Sequence, residues 1–246
     1  MRLPVQLVAS WRLLCLMWHI ARGFFTLVWF FPRWSAFQKN KAIQAWALDL
    51  LAHTAIHLEV VGRPSVEGST LLAANHVSWL DVYVILATCP CRFVAKSEVR
   101  QWPLIGTLAT ATGTLFISRQ SPRDAVRVVQ QMTEHLRQGA TLAIFAEGTT
   151  SNGLQVLPFH ANLFQAAVSA EVPVQAVALQ YQDRCTQQPS LAPCYIGDDT
   201  LFGAIWRTLT APPLRAKLSF GEPVLAQGFD RRRLASAVRE SIVKLL

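Results

Sequence analysis

The sequence predicts an α/β fold: a mostly parallel, helix-covered sheet preceded by an N-terminal two-helix segment. Three observations carry this. From Leu58 onward, short β-rich runs alternate with helical patterns, the order that produces a parallel sheet covered on both faces. Before that point the chain reads as helix, break, helix, with a different composition. Its 246 residues suffice for one sizeable core and a small appendage. The expected organisation is a helical pair over residues 1–57 and an α/β domain over residues 58–246.

In chain order, Leu13–Ala21 and Gly23–Pro32 are two apolar runs separated by Arg22. Each is too short to cross a hydrocarbon core of ~30 Å as a helix. Pro32 breaks the pattern around Phe31-Pro32. The second helix, expected over Ala36–His57, carries Ile43, Trp46, Ala47, Leu50 and Leu51 at helical spacing. Arg2, Arg12, Arg22, Arg33, Lys39 and Lys41 face only Asp49 and Glu59 in this region, which also holds five of the eight tryptophans. Indole rings settle at the headgroup boundary, and Arg and Lys stems lie along apolar surface with their charges near phosphates. The interleaving therefore predicts a membrane-associated pair lying in one leaflet, on an anionic surface. The alternative is a helical hairpin packed on the main domain.

Strands are expected at Leu58–Gly62, Thr70–Ala74, Cys91–Ala95, Thr114–Ser118, Thr141–Ala146, Val172–Gln180 and Ala216–Phe220. Pro122–Arg137 reads as a helix with Val126, Val129, Met132, Thr133 and Leu136 on one face, Ser121 as its cap and Gly139 after its end. Ala161–Ala170 and Arg231–Leu246 are further helices. The cluster Arg231-Arg232-Arg233 opens the last of these, with Leu234, Val238, Ile242 and Leu245 along one side, and reads as a solvated or lipid-facing terminal helix.

Composition narrows the function. The chain is 52% hydrophobic and 15% charged, with a formal charge of +8. This excludes an acidic disordered chain, and no window of some 18 uncharged apolar residues supports a polytopic membrane protein. Nucleic acid is not expected as a partner, since zinc-finger spacing, RNP-like aromatics and basic repeats are missing. Cys15, Cys89, Cys91, Cys185 and Cys194 lack disulfide-framework or metal-ligand spacing and read as free thiols in a reducing compartment. Phosphate-loop, dinucleotide and nucleophile-elbow motifs are absent, which removes several common enzyme classes. No metal and no cofactor are expected.

The chemistry concentrates in three strand ends. Asn75-His76-Val77-Ser78-Trp79-Leu80-Asp81 follows the apolar run Leu71-Leu72-Ala73-Ala74. A neutral imidazole there can accept a proton from an alcohol, and a neighbouring carboxylate fixes its tautomer. On a regular helix five residues would separate the two side chains by about 140°. They meet only if His76 precedes the helix and Asp81 lies one turn inside it, with Ser78 as N-cap. Gly113-Thr114-Leu115-Phe116-Ile117-Ser118-Arg119 ends a second strand with a cation. Phe145-Ala146-Glu147-Gly148-Thr149-Thr150-Ser151 ends a third with a carboxylate, a glycine and hydroxyls.

In these three motifs, in this order, the sequence resembles the glycerolipid acyltransferase family, of which 1-acyl-sn-glycerol-3-phosphate acyltransferases are the best known. Asn75–Asp81 matches its NHxxxxD motif and Phe116–Arg119 the second, while Phe145–Ser151 resembles the third, with Ala146 in place of its proline. Val172-Pro173-Val174 resembles the start of the fourth, with Ala176 in place of its second proline, and Lys96 and Pro103-Leu104-Ile105-Gly106 add to the likeness. It extends from Leu58 to about Leu179.

The resemblance implies a membrane-associated enzyme at the cytoplasmic face of the inner membrane, peripheral or monotopic. It implies transfer of an acyl chain from acyl-CoA or acyl carrier protein to the free hydroxyl of lysophosphatidic acid, giving phosphatidic acid. His76 would be the general base and Asp81 its orienting partner. Asn75, Lys96, Arg119, Glu147, Gly148, Thr149 and Thr150 would bind substrate, with Arg119 the phosphate ligand. Thr150 stands where the third motif usually has arginine. That departure points to a subgroup with Glu-Gly-Thr-Thr whose members resemble lysophosphatidate or lyso-ornithine-lipid acyltransferases. A lyso-ornithine lipid acceptor, a thioesterase and a non-catalytic membrane-binding protein are the alternatives.

Overall fold

The computed structural model describes residues 4–65, 68–118 and 122–246. Its seven strands are β1 (Ile56–Val61), β2 (Leu71–Ala74), β3 (Arg92–Lys96), β4 (Leu115–Ile117), β5 (Leu142–Phe145), β6 (Val174–Asp183) and β7 (Leu214–Val224). They form one sheet in the order β1-β7-β6-β2-β5-β3-β4. Only β6 and β7 pair antiparallel; the other neighbours are parallel. The strands β2 to β6 therefore all end at one edge of the sheet.

All seven expected strands are present. β6 and β7 run longer than expected, because each supplies the other's ladder partners from Val174↔Val224 to Asp183↔Leu214. The register shifts between Gln175 and Val177, and the buried Gln175 amide satisfies the backbone there, donating to the carbonyls of Gly221 (2.8 Å) and Arg63 (3.1 Å).

Both faces of the sheet are covered, and the period-2 alternation of β2 shows how. Leu72 and Ala74 pack with Leu50 and Leu51 of α2 (Ala36–His53) and with Val84 and Ile85 of α3 (Asp81–Thr88). Leu71 and Ala73 pack on the other face with Met132 and Leu136 of α5 (Pro122–Arg137), Ala166 and Ala167 of α6 (Gln165–Ala170), and Val238 and Ile242 of α8 (Arg231–Leu245). The expected helix at residues 161–170 is a 3-10 turn, Ala161–Phe164, running into α6. The apolar side of α8 is core, so it meets the sheet and neither solvent nor lipid. Gly139 follows α5 at φ +88°, as its position implied. Ser121, the expected cap, lies outside the described residues.

The N-terminal pair forms a hairpin. The two apolar runs are one helix, α1 (Val5–Trp29), and a 3-10 turn at Phe31–Arg33 makes the expected break. A capping box between Ser35 and Gln38 starts α2. α2 ends at His53, short of the expected His57. The Thr54 hydroxyl folds back on the carbonyls of Leu50 and Leu51, Ala55 turns to φ +57°, and β1 begins at once. Gly23 lets the helices close, since a Cβ there would lie 2.5 Å from the Trp46 indole nitrogen. The buried His19 ring stacks on Trp46 at 4.9 Å, and Arg22 pairs with Asp49 at 2.9 Å.

The hairpin has two unlike faces. Leu16, Ala47, Leu50 and Leu51 belong to the domain core, whereas Trp11, Leu14, Met17, Trp18, Phe25 and Trp29 stand exposed. Among the described residues no helix is long and apolar enough to cross a membrane. α1 also rests on α7 (Leu201–Thr210), a helix capped by the Thr200 hydroxyl, and Arg12 donates to the carbonyl of Leu209 at 3.0 Å. All five cysteines are free.

Candidate active site

β2 delivers Asn75 and His76 to the sheet edge where β2, β3, β4 and β5 all end, the place where α/β sheets gather ligands. Asn75 is buried and donates to the Leu179 carbonyl (2.9 Å) while accepting from the Leu179 N–H (2.8 Å). This pair of hydrogen bonds ties the loop to β6, which gives Asn75 a positioning role.

His76 Nδ1 lies 2.8 Å from Asp81 Oδ2. Asp81 is the first residue of α3 and not one turn inside it: Ser78 to Asp81 form a turn, with the Asp81 N–H on the Ser78 carbonyl. Ser78 caps only the turn, accepting from the Leu80 N–H at 3.2 Å. The Asp81 side chain is fully buried and its polar needs are met. Oδ2 also accepts from the N–H groups of Val77 (2.7 Å) and Ser78 (2.9 Å), and Oδ1 accepts from the Tyr181 hydroxyl (2.7 Å). Burial, and next the Asp81 charge, push the Tyr181 phenol well above its usual pKa, so it stays a donor.

A carboxylate receiving that many donors is an acceptor on every side. Nδ1 therefore carries the hydrogen in the neutral ring, and the lone pair resides on Nε2. The ring stacks on Phe145 with centroids 3.9 Å apart and planes 9° from parallel, and Phe145 stacks on Phe93 in turn. The His76 side chain keeps 21% of its surface exposed, against 0% for Asp81. One partner is locked in the core and the other reaches outward.

The segment after β5 clamps the backbone of His76 from the other side. Glu147 Oε1 accepts the His76 N–H at 3.3 Å, and Ser151 N–H donates to the His76 carbonyl at 2.8 Å. Burial raises the Glu147 carboxyl above its ordinary value, opposed by hydrogen bonding to the His76 and Leu157 backbone, the His76 charge and Ser151. Oε2 is buried. Gly148 turns at φ +68°, where a side chain would be strained, and its N–H donates to Phe145. Thr149 is exposed beside it. The Thr150 hydroxyl donates to the Tyr195 carbonyl, so it is engaged within the protein.

The structure thus brings Asn75, His76, Asp81, Glu147, Gly148 and Thr150 together. Lys96 ends β3 at the same edge, exposed and outside the hydrogen bonds of the pair. Arg119 lies outside the described residues. Two residues that sequence reasoning missed belong to the site. Phe145 is the first residue of the third motif, quoted there without a role, and could have been found from that position. Tyr181 is 100 residues from Asp81 and carried no local signal.

The Acyltransferase family model matches residues 55–180, from β1 to all but the end of β6. The chain belongs to the acyltransferase family. It is 40% identical over 207 residues to the 1-acyl-sn-glycerol-3-phosphate acyltransferase of Neisseria gonorrhoeae, covering 83% of this chain and 80% of the relative. It is 38% identical over 204 residues to the lyso-ornithine lipid O-acyltransferase of Pseudomonas aeruginosa, covering 83% and 78%. The crystal structure of the 1-acyl-sn-glycerophosphate acyltransferase PlsC from Thermotoga maritima superposes with a TM-score of 0.66 over 95% of this chain and 97% of that one. At 22% identity this likeness establishes the shared fold. The hairpin and α8 lie outside the family match, while His76, Asp81 and Glu147 of this acyltransferase lie inside it.

Proposed function

We propose that this acyltransferase transfers an acyl chain from acyl-CoA or acyl carrier protein to the free hydroxyl of a lysolipid, with lysophosphatidic acid as acceptor and phosphatidic acid as product. One observation carries the reading: a partly exposed imidazole held by a buried, fully bonded carboxylate so that Nε2 presents its lone pair at the sheet edge. Nε2 takes the hydroxyl proton as the oxygen attacks the thioester carbonyl. The carbon–sulfur bond then breaks, and the imidazolium returns that proton to the departing thiolate. Asp81 holds the tautomer and stabilises the imidazolium, and no covalent acyl-enzyme is needed. A positioned base contributes ~10²–10⁴-fold; alignment of the substrates and backbone N–H groups facing the oxyanion supply the rest. Arg119 and Lys96 are the phosphate ligands in this reading, and Gly148 and Thr149 line the approach.

The exposed face of the hairpin supports a peripheral or monotopic seat at the cytoplasmic face of the inner membrane. Trp11, Trp18 and Trp29 stand on that face, and Arg33 and Lys39 follow close by in sequence. A second reading changes only the acceptor, to lyso-ornithine lipid. Thr150 favours it, because it removes the motif's cation and commits its hydroxyl to Tyr195. The test is acyl transfer by wild type and His76→Ala with a labelled acyl donor and each lysolipid in turn. Wild type is expected to form diacyl lipid and the variant to lose it. Equal turnover would overturn the base, and the preferred lysolipid names the acceptor.

A further inference from the structure

We propose that Arg207 is a positioning residue for acyl transfer: from α7 it holds the segment 192–199, and through that segment the backbone that sets His76 against Asp81. The Arg207 guanidinium grips the segment at three places. Nε donates to the Ala192 carbonyl (3.0 Å), Nη2 to the Cys194 carbonyl, and Nη1 and Nη2 to Asp199 (3.3 and 2.9 Å). The segment in turn grips the catalytic loop. Tyr195 N–H donates to the Val77 carbonyl at 3.1 Å, and Ser78 and Cys194 form an antiparallel bridge. Val77 and Ser78 are the residues whose N–H groups bind Asp81 Oδ2 beside His76 Nδ1.

Thr150 holds the same segment through the Tyr195 carbonyl. The residue that takes the place of the motif's arginine therefore acts as a second strut beside Arg207. The role depends on the guanidinium's shape. Two carbonyls and a carboxylate need a planar fork of donors, which an ammonium cannot reproduce. The ion pair with Asp199 is itself partly exposed, at 41% and 32%, so its net contribution to stability is small. What the contact fixes is geometry, and a displacement of about 1 Å at a reacting group can cost about a hundredfold in rate.

The inference rests on His76 as the base, so the experiment separates the two. Wild type, His76→Ala, Arg207→Ala, Arg207→Lys, Asp199→Asn and Thr150→Val are assayed for kcat, KM of donor and acceptor, and Tm. The His76 Nδ1–H signal is followed by NMR. Arg207→Ala is expected to lower kcat about ten- to a hundredfold with donor KM changed less than about twofold and little change in Tm. Its Nδ1–H signal broadens or moves upfield as the Asp81 contact loosens. Lysine fails to restore kcat, added guanidinium restores part of it, and the Arg207→Ala/Thr150→Val pair costs less than the product of the single losses. An unchanged kcat, full rescue by lysine, or a loss that tracks Tm with an unmoved Nδ1–H signal overturns the role. Should Arg207→Ala not fold, Arg207→Lys and Asp199→Asn give the same decision. Full activity in His76→Ala would instead sink the base assignment.

Discussion

The sheet edge around His76 and the outer face of the N-terminal hairpin obey opposite rules. At the sheet edge a few polar atoms are each placed by named partners: Asp81 alone is bonded to His76, Val77, Ser78 and Tyr181. On the hairpin's outer face Trp11, Trp18, Phe25 and Trp29 stand exposed. A hydrogen-bonded network in low dielectric is sensitive to single atoms, because a lost partner leaves a buried group unpaired. An apolar contact surface is additive in area, so no single side chain decides it. Chemistry and location are therefore specified in different currencies within one chain.

The strongest way to break the comparison is Asp81→Asn. The amide keeps the shape but can present a donor to Nδ1, which disfavours the tautomer with its lone pair on Nε2. A fall in kcat of about 10⁴-fold is expected from steady-state kinetics. A loss below about tenfold would mean that the pair does not act as a unit. On the hairpin, replacing Trp11, Trp18 and Trp29 together with serine should lower partitioning to anionic vesicles by far more than any single change. Each single change is expected to cost about 1–2 kcal/mol, read by vesicle sedimentation. A single variant that abolishes binding would show that face to be a specific site and not a surface.

The hairpin's inner face follows the rule of the core. Gly23→Leu drives a side chain into the Trp46 indole and should cost about 1–3 kcal/mol in thermal unfolding. The smallest effect sharpens the view of the sheet edge. Burial raises the Glu147 carboxyl in the folded protein. Its favourable contribution is thus complete below the ordinary value of 4.5 and fades as pH rises through the raised one. Glu147→Gln keeps an acceptor for the His76 N–H and removes the charge. Its Tm should gain on wild type as pH rises from below that range, and a constant difference would refute the shift.

Much of this was legible in the sequence. Alternation marked all seven strands, and the α5 boundaries follow from periodicity, with Gly139 at the exit. The three motifs placed His76, Asp81 and Glu147 at strand ends. Other features were hidden for identifiable reasons. Short α3 is almost entirely apolar between Asp81 and Thr88, so it has no polar face to give it a period, and its start at Asp81 is set by the turn from Ser78. The stripe on α8 looks the same whether it meets lipid or a sheet, since periodicity reports an apolar face and not what covers it. That the Thr150 hydroxyl donates to the Tyr195 carbonyl, 45 residues away, carried no local signal.

What the chain of residues determined by itself was local: the order of elements, the pairing of an imidazole with a carboxylate five positions later, and an aromatic, cationic N-terminus. These depend on propensity, period and spacing, all of which act between near neighbours. Only the tertiary structure decided that Tyr181 completes the Asp81 shell, that Asn75 serves β6, and that Arg207 and Thr150 hold one segment. Those contacts join residues up to 104 positions apart. They arise from strand order, and side-chain hydrogen bonds across a sheet leave no periodic trace in the sequence they connect.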